Sequence, residues 1–226
     1  MASHLDLEEQ EQLEQLKAFW SRWGNLITWL LTAALAVFAA YVGWNRWQDS
    51  QALAAEQIYG SLESAYNAAN GGAADPAKVA SIWGDLQDKY PRTNYASQGG
   101  LLAARLQADS GKPEDARKTL AWVGEHGSTQ NYRDVANLRL AALAMDAKQL
   151  DAAGKALDAV KGPEFEALVA DRRGDLALLA NKPGDAKTQF EKAYAALAAG
   201  APYKQLLGYK LASLGVTVAA DTGAAR

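Results

Sequence analysis

The chain has 226 residues, with 23 basic and 26 acidic side chains, a net charge of −3 and no cysteine. The lack of cysteine excludes disulfides, iron–sulfur clusters and thiolate zinc sites. Beyond residue 22 the charges balance at 21 basic against 21 acidic, so no basic stripe is present that would suit a nucleic acid. The two histidines, His4 and His126, form no cluster. We expect no nucleic-acid partner, metal or other cofactor.

Residues 1–22 form an acidic leader. Five acidic residues outweigh Lys17 and Arg22 there, which gives the leader a net charge of −3. Its glutamates and glutamines favour helix, and its leucines recur near one face, so we predict that it is helical. Two interpretations are open. The leader is either a solvated extension of the next segment or a docking segment for a cytosolic partner.

An uncharged run follows at residues 23–45 and is long enough to span a membrane. As a helix, its 23 residues cover about 34 Å, against about 30 Å for a hydrocarbon core. Trp20, Trp23, Trp44 and Trp47 frame the run, as expected at headgroup depth. A cleaved signal peptide would have a basic leader and a shorter apolar region. We predict a permanent helix in the lipid bilayer, with cleavage beside small residues as the alternative.

Basic residues beside this run indicate its orientation. Lys17 and Arg22 precede it, whereas only Arg46 follows closely. Because the excess of basic residues lies on the cytoplasmic side, the N-terminus is expected in the cytoplasm. The protein then crosses a bacterial inner membrane once, and residues 46–226 form a periplasmic domain.

Residues 46–226 are predicted to be all-α. Short breakers with glycine or proline separate helical segments of about 10 to 18 residues, and strand signals are almost absent. Most prolines follow a turn and are expected to open the next helix, where the missing N–H is not needed. Asp75 is likewise expected to cap the helix that begins at Pro76.

Three stretches align as internal repeats: GKPEDARKTL, AKQLDAAGKAL and NKPGDAKTQF. Their lysines, Lys112, Lys148 and Lys182, are 36 and 34 residues apart. A period near 34 with two helices per unit is typical of tetratricopeptide repeats. We therefore predict an α-solenoid of three to four helical pairs, closed by a capping helix at about residues 203–214.

Side-chain size predicts how the two helices of each repeat pack. Small residues are expected where the helices cross, opposite large apolar residues. In the first and last repeats the small positions are Ala104, Ala116, Gly174 and Ala186, and the large ones are Leu120 and Phe190. The middle repeat is ambiguous, because alignment of its turn selects Ala152 and alignment of its core selects Ala153. One extra residue in that turn would reconcile the two.

The order of segments along the whole chain carries a resemblance. The leader EQEQLEQLKAFW precedes GNLITWLLTAALAVFAAYVGWNRWQ, and the repeats follow. This combination resembles the YfgM-type ancillary subunits of the bacterial SecYEG translocon, and residues 171–194 are similar to that family's most recognisable repeat. The resemblance implies association with SecYEG and with a PpiD-type membrane-anchored chaperone. It also implies assistance to secreted or outer-membrane client polypeptides after translocation, and no catalytic residues.

The first helices of a tetratricopeptide stack line a concave face that could take a peptide. In the core alignment, the residues on this face are Gln98, Leu101, Arg105, Leu138, Ala142, Met145, Leu168, Asp171 and Asp175. We predict that they form a protein-binding groove. Ordinary packing is the competing interpretation for each of them.

These features together favour a non-enzymatic membrane adaptor of the translocon. One alternative is a membrane-anchored repeat scaffold for envelope assembly or cell division, without translocon contact. An enzyme, or an enzyme regulator that uses the groove, is the alternative from another class. No glycine-rich phosphate loop follows a predicted strand, which leaves the enzyme without a recognisable site.

Overall fold

The computed structural model describes residues 7–68 and 75–217, and in these ranges the regular elements are all helical. They are α1 (Leu7–Ala68), α2 (Pro76–Lys89), α3 (Asn94–Asp109), α4 (Pro113–His126), α5 (Gln130–Asp146), α6 (Leu150–Asp158), α7 (Glu166–Leu179), α8 (Pro183–Ala196) and α9 (Pro202–Ser213). A 3₁₀ turn at Pro163–Phe165 precedes α7. The predicted all-α fold is confirmed.

The chain divides into two compact units, residues 1–51 and 52–226. In the first unit, α1 contains a stretch that is long and apolar enough to cross a membrane, and none of that stretch is buried within the protein. Large side chains such as Trp29, Leu35 and Phe38 are exposed along it. This candidate membrane-spanning helix continues without a break through residue 45, so the limits of the membrane segment stay a prediction.

Two hydroxyl groups in this stretch bond to their own helix. Thr28 Oγ1 donates to the carbonyl of Gly24 at 2.8 Å, and Thr32 Oγ1 donates to the carbonyl of Thr28 at 2.8 Å. In hydrocarbon an unpaired hydroxyl would be costly, because no water is available as a partner. These bonds therefore make both threonines compatible with a membrane segment.

The second unit consists of stacked helical pairs. Residues 52–68 of α1 and α2 share one core with α3 and α4, α5 packs with α6, and α7 packs with α8. The helix α9 covers the last pair, with Leu207 and Leu211 fully buried against Phe190. Four pairs and a capping helix agree with the predicted tetratricopeptide-like solenoid.

The helix starts follow the local sequence signals. The Asp75 side chain accepts the N–H of Ala77 at 2.9 Å, as predicted for the cap of α2. Prolines occupy the first turns of α2, α4, α8 and α9. In α3 the Thr93 hydroxyl accepts the N–H of Ala96 at 3.1 Å. Each cap satisfies a backbone donor that the helix itself leaves without a partner.

The three turns within the repeats have equal length, so the predicted extra residue in the middle turn was wrong. Gly111, Lys148 and Asn181 are the equivalent residues, with φ of 72°, 57° and 59°. The next residue in each turn donates its N–H to a carbonyl five residues earlier, from Lys112, Gln149 and Lys182 at 2.8, 2.8 and 2.9 Å. The equivalent of Lys112 is thus Gln149, and the shared lysine at 148 misled the alignment by one position.

The core alignment is confirmed. Ala153 is fully buried, whereas Ala152 is exposed. The small positions Ala104, Ala141 and Gly174 are buried on the first helices, and the large positions Leu120, Leu157 and Phe190 are buried on the second. The last repeat pairs the smallest residue with the largest, since a Cβ at Gly174 would lie 2.3 Å from Phe190 Cε1.

A second repeated feature holds the loops that lead into the next pair. Ser97 and Asp134 are equivalent positions and both are fully buried. Ser97 Oγ accepts the N–H of Ser128 at 2.8 Å. The Asp134 carboxylate accepts the N–H groups of Lys161 and Gly162 at 3.0 and 2.7 Å. Each side chain satisfies loop donors that would otherwise be left without a protein partner.

The match between Gly174 and Phe190 predicts that Gly174→Ala destabilises the protein, although alanine is normally the better helix former. Overpacking costs about 1 to 3 kcal/mol and the helix propensity returns about 1 kcal/mol. We expect a net loss of up to about 2 kcal/mol in the free energy of unfolding, measured with urea on the full chain in detergent micelles by circular dichroism.

The double variant Gly174→Ala/Phe190→Leu is the control for this prediction. It reproduces the alanine and leucine found in the two preceding repeats, and we expect its stability to return to within about 1 kcal/mol of the unchanged chain. A single Gly174→Ala variant that is more stable than the unchanged chain would contradict the prediction.

Candidate partner-binding surface

The three predicted groove residues on α3 lie in different environments. Gln98 is half-buried and donates from Nε2 to the Tyr132 hydroxyl at 2.7 Å. Leu101 is buried in the core of the first two pairs. Arg105 is exposed, and its guanidinium lies 5.3 Å from the centre of the Tyr66 ring. Of the three, only Arg105 presents most of its side chain to solvent.

The residues on α5 are mainly packed. Leu138 and Met145 are each 8% exposed. Leu138 belongs to a cluster with Leu157, and Met145 to a smaller one with Ala153, so both fill the space between α5 and α6. Ala142 is half-buried. On this helix, packing therefore leaves little side-chain area for a ligand.

The residues on α7 are divided between an apolar cluster and a polar one. Leu168 is half-buried and packs against the cluster that contains Leu138. Asp171 is fully buried, and Asp175 is half-buried. Asp171 accepts hydrogen bonds from the Tyr203 hydroxyl at 2.5 Å and from Lys210 Nζ at 2.6 Å. These two donors are on the capping helix α9.

The polar cluster of α7 and α9 joins five side chains. Lys210 Nζ lies 2.6 Å from Asp171 and 2.7 Å from Asp175, and Arg172 Nη1 lies 3.2 Å from Asp175. Burial, and secondly the hydrogen bond to Asp171, raise the pKa of the Tyr203 hydroxyl well above its ordinary value. A buried carboxylate requires such partners, and the cluster supplies them from α9.

A second electrostatic feature lies between α3 and α5. Arg139 donates from Nη1 to the carbonyl of Leu101 at 3.0 Å. Burial, and secondly the positive charge of Arg105, lower the pKa of Arg139 below its ordinary value. Arg105 lies 3.6 Å from Asp109, in an exposed pair. The surface formed by α3 and α5 is basic here, because the guanidinium groups of Arg105 and Arg139 lie beside the single carboxylate that pairs with Arg105, that of Asp109.

The structure thus brings some predicted groove residues together and separates others. Leu138 and Leu168 share one cluster, and Asp171 and Asp175 share Lys210. Fewer of the nine side chains are accessible to a partner than predicted, because Leu101, Leu138, Met145 and Asp171 are buried. Peptide binding by the nine residues stays a prediction.

No sequence pattern predicted the roles of Tyr203, Lys210 and Asp134. Their roles depend on partners 27 to 39 residues away, and no local pattern marks such pairs. A charged residue at Asp171, where equivalent positions hold Leu101 and Leu138, was the one available signal. A buried carboxylate at a leucine position indicates a polar partner on the next helix.

The described residues offer little for metal chemistry. They contain no group of three or more histidine, cysteine, aspartate or glutamate side chains that could hold a metal ion. His126 stacks on the Trp122 ring with centroids 5.0 Å apart, and its Nδ1 lies 3.1 Å from the Trp122 carbonyl. His4 lies outside the described residues.

Comparison with known proteins identifies similar chains. A family model described as a tetratricopeptide repeat-like domain matches residues 17–216. An ancillary SecYEG translocon subunit of Neisseria gonorrhoeae is 29% identical over 215 residues, which cover 95% of this chain and 100% of the relative. Proteins with the same name from Escherichia coli and Haemophilus influenzae are 29% and 27% identical, and the alignments cover 81% and 83% of this chain and 85% and 89% of those relatives. The predicted resemblance is confirmed.

Asp171→Ala is expected to destabilise the protein by about 2 to 3 kcal/mol. The change leaves the Tyr203 hydroxyl and part of the Lys210 charge without their buried acceptor. Urea unfolding of the full chain in micelles measures the loss. Asp109→Ala removes an exposed pair and is the matched control, with an expected effect within about 0.5 kcal/mol. Equal effects of the two changes would contradict a special role for the buried carboxylate.

The raised pKa of Tyr203 predicts a loss of stability at high pH. Above about pH 10 an unfolded tyrosine loses its proton while the folded Tyr203 keeps its own, so the free energy of unfolding falls as pH rises. Tyr203→Phe should make this decline shallower, and the difference in slope should grow with pH to nearly one proton, roughly 1.4 kcal/mol per pH unit, near pH 11. Urea unfolding at several pH values between 9 and 11 compares the slopes, and identical slopes would refute the linkage.

Proposed function

The chain belongs to the tetratricopeptide repeat-like domain family, and we propose that it is a non-enzymatic adaptor of the SecYEG translocon in a bacterial inner membrane. The observation that carries this proposal is the similarity to ancillary translocon subunits over most of the chain, which reaches 95% of it and all of the relative for Neisseria gonorrhoeae. That similarity covers the apolar helix as well as the repeats. A shared repeat fold alone would not account for it.

In this proposal residues 1–22 lie in the cytoplasm, residues 23–45 cross the membrane once and residues 46–226 form the periplasmic domain. The exposed apolar side chains of α1 support the membrane segment. Lys17 and Arg22 against Arg46 support the orientation. The indole rings of Trp44 and Trp47, 5.2 Å apart, suit the headgroup layer at the periplasmic end.

The periplasmic repeats are proposed to bind other proteins. By the resemblance, the partners are a PpiD-type chaperone and client polypeptides that leave the translocon. A solenoid offers a long surface built on rigid helical pairs, which suits recognition of a chain segment without catalysis. The mixed charges of the repeats are consistent with polypeptide partners, since the part after residue 22 is neutral overall.

Photo-crosslinking in native membranes tests the translocon assignment. A photoreactive residue at Ala36 samples the side of α1 that carries the small residues Ala33, Ala36 and Ala40, and one at the exposed Phe38 samples the opposite side, about 200° away. Because small residues let another helix approach closely, we expect Sec channel subunits to crosslink at Ala36 at least threefold more than at Phe38. Mass spectrometry identifies the attached proteins.

A third probe at the exposed Lys118 on α4 is the control for the periplasmic domain. It should attach to periplasmic proteins and never to a cytosolic one, which also tests the orientation. If both membrane probes return only lipid, the translocon assignment fails. The membrane-anchored scaffold without translocon contact then becomes the better account.

A further inference from the structure

A groove runs along one side of the third and fourth helical pairs. Its volume is about 660 Å³, and its walls are one face of α6 and one face of α8, with α7 as the floor. The floor is formed by Leu176, Ala177 and Ala180, with Arg173 at one end. We call it the α6–α8 groove. At about 100° per residue, these floor residues lie on the side of α7 opposite to Asp171.

The α6–α8 groove exists because one side chain is missing. Gly154 lines it, and the nearest atom to a Cβ built there is Leu176 Cδ2 at 3.9 Å. The equivalent positions of α4 and α8 are occupied by the long side chains of Arg117 and Lys187. The helix α6 is also short, with 9 residues against 14 in α4 and in α8. The third pair therefore leaves open space where the equivalent pairs have an arginine or a lysine side chain.

Charges of both signs surround the apolar floor. Arg173 and Asp158 form a pair at 2.7 Å across one end. Of the other lining residues, Asp151 and Lys155 belong to α6, and Lys182 and Asp185 flank the start of α8. Among the described residues none of these other four charges has an ion-pair partner. The rim is neutral overall, so a segment with a net charge of either sign would gain no net attraction there to offset the partial loss of its own hydration.

The polar walls of the groove decide between a helical and an extended occupant. A helix uses its own N–H and C=O groups internally, so it would leave the polar groups of the walls without backbone partners. From Arg173 to Ala180 the floor extends about 10 Å along α7. About three residues of an extended chain cover the same distance. The carboxylates, ammonium groups and the Gln189 amide of the walls can pair with the open N–H and C=O groups of such a chain.

We propose that the α6–α8 groove binds a short extended polypeptide segment with apolar side chains and a net charge near zero. This proposal rests on the proposed function, because such a segment is what an unfolded client supplies. It also gives that function a location. The apolar residues of the segment pack on Leu176 and Ala177, its backbone pairs with the polar walls, and Gly154 provides the open space.

The test fills the groove without disturbing the core. Gly154→Phe places a ring over the floor, and removal of a helical glycine favours folding. Gly84→Phe is the matched control, because Gly84 also lies within a helix, α2, and a Cβ added there would meet no atom within 4 Å. Thermal unfolding of both variants should match or exceed that of the unchanged chain, which separates occlusion from misfolding.

Binding is measured with the full chain in lipid nanodiscs by fluorescence polarisation. The probes are three labelled nine-residue peptides with one alternating valine–serine core, flanked by neutral, two acidic or two basic residues. We expect the neutral peptide to bind at least threefold more tightly than the charged ones. Gly154→Phe should weaken that binding at least tenfold, and Gly84→Phe should leave it unchanged.

The outcomes separate the groove from the proposed function. If the unchanged chain binds the neutral peptide and Gly154→Phe binds it equally well, the groove assignment is overturned while client binding stands. Tighter binding of a charged peptide would overturn the neutral character of the occupant. If the unchanged chain binds none of the peptides, client binding itself fails, and the groove loses its occupant with it.

Discussion

The fold depends on how closely the two helices of each repeat approach one another. In the second, third and fourth pairs a small residue on the first helix faces a large one on the second, and all of these positions are buried. The total volume is held roughly constant, since glycine at 174 accompanies phenylalanine at 190 where other repeats combine alanine with leucine. Interiors are as dense as organic crystals, so neither partner can change size alone.

Polar groups are placed where this apolar packing ends. Ser97 and Asp134 hold the loops between pairs, and the cluster around Asp171 holds the capping helix. A buried polar group is costly without a partner. Each of these contacts therefore permits one arrangement of the chain and disfavours arrangements in which a helix is shifted along its neighbour. Apolar crossings thus supply most of the burial, and polar contacts select the order and register of the helices.

Much of this architecture could be predicted from the sequence because its signals are local or periodic. The uncharged run, the prolines, the Asp75 cap and the spacing of small residues all belong to these classes. The middle turn was misaligned because Lys148 matches the other turn lysines in identity but takes the φ of 57° that places it with Gly111 and Asn181. Backbone conformation, and not residue identity, defines that position.

The candidate binding surfaces were harder to predict because accessibility is a long-range property. Whether Asp171 or Leu138 meets solvent depends on α9 and α6, and no neighbouring residue reports this. The α6–α8 groove was not predicted either, because Gly154 by itself indicates only a weak helix former. The missing side chain becomes apparent only when Gly154 is compared with the equivalent residues Arg117 and Lys187.

The contact between α7 and the capping helix α9 also limits how such a protein can change its length. Leu101 and Leu138 occupy the equivalent position in the two preceding repeats. In the last repeat this position holds Asp171, which accepts hydrogen bonds from Tyr203 and Lys210. A pair inserted after α8 would have to supply donors in the places of Tyr203 and Lys210, because Asp171 would otherwise be a buried charge without a partner. The length of the solenoid is therefore tied to the polar donors of the helix that follows α8, whereas a leucine at the equivalent position makes no such demand.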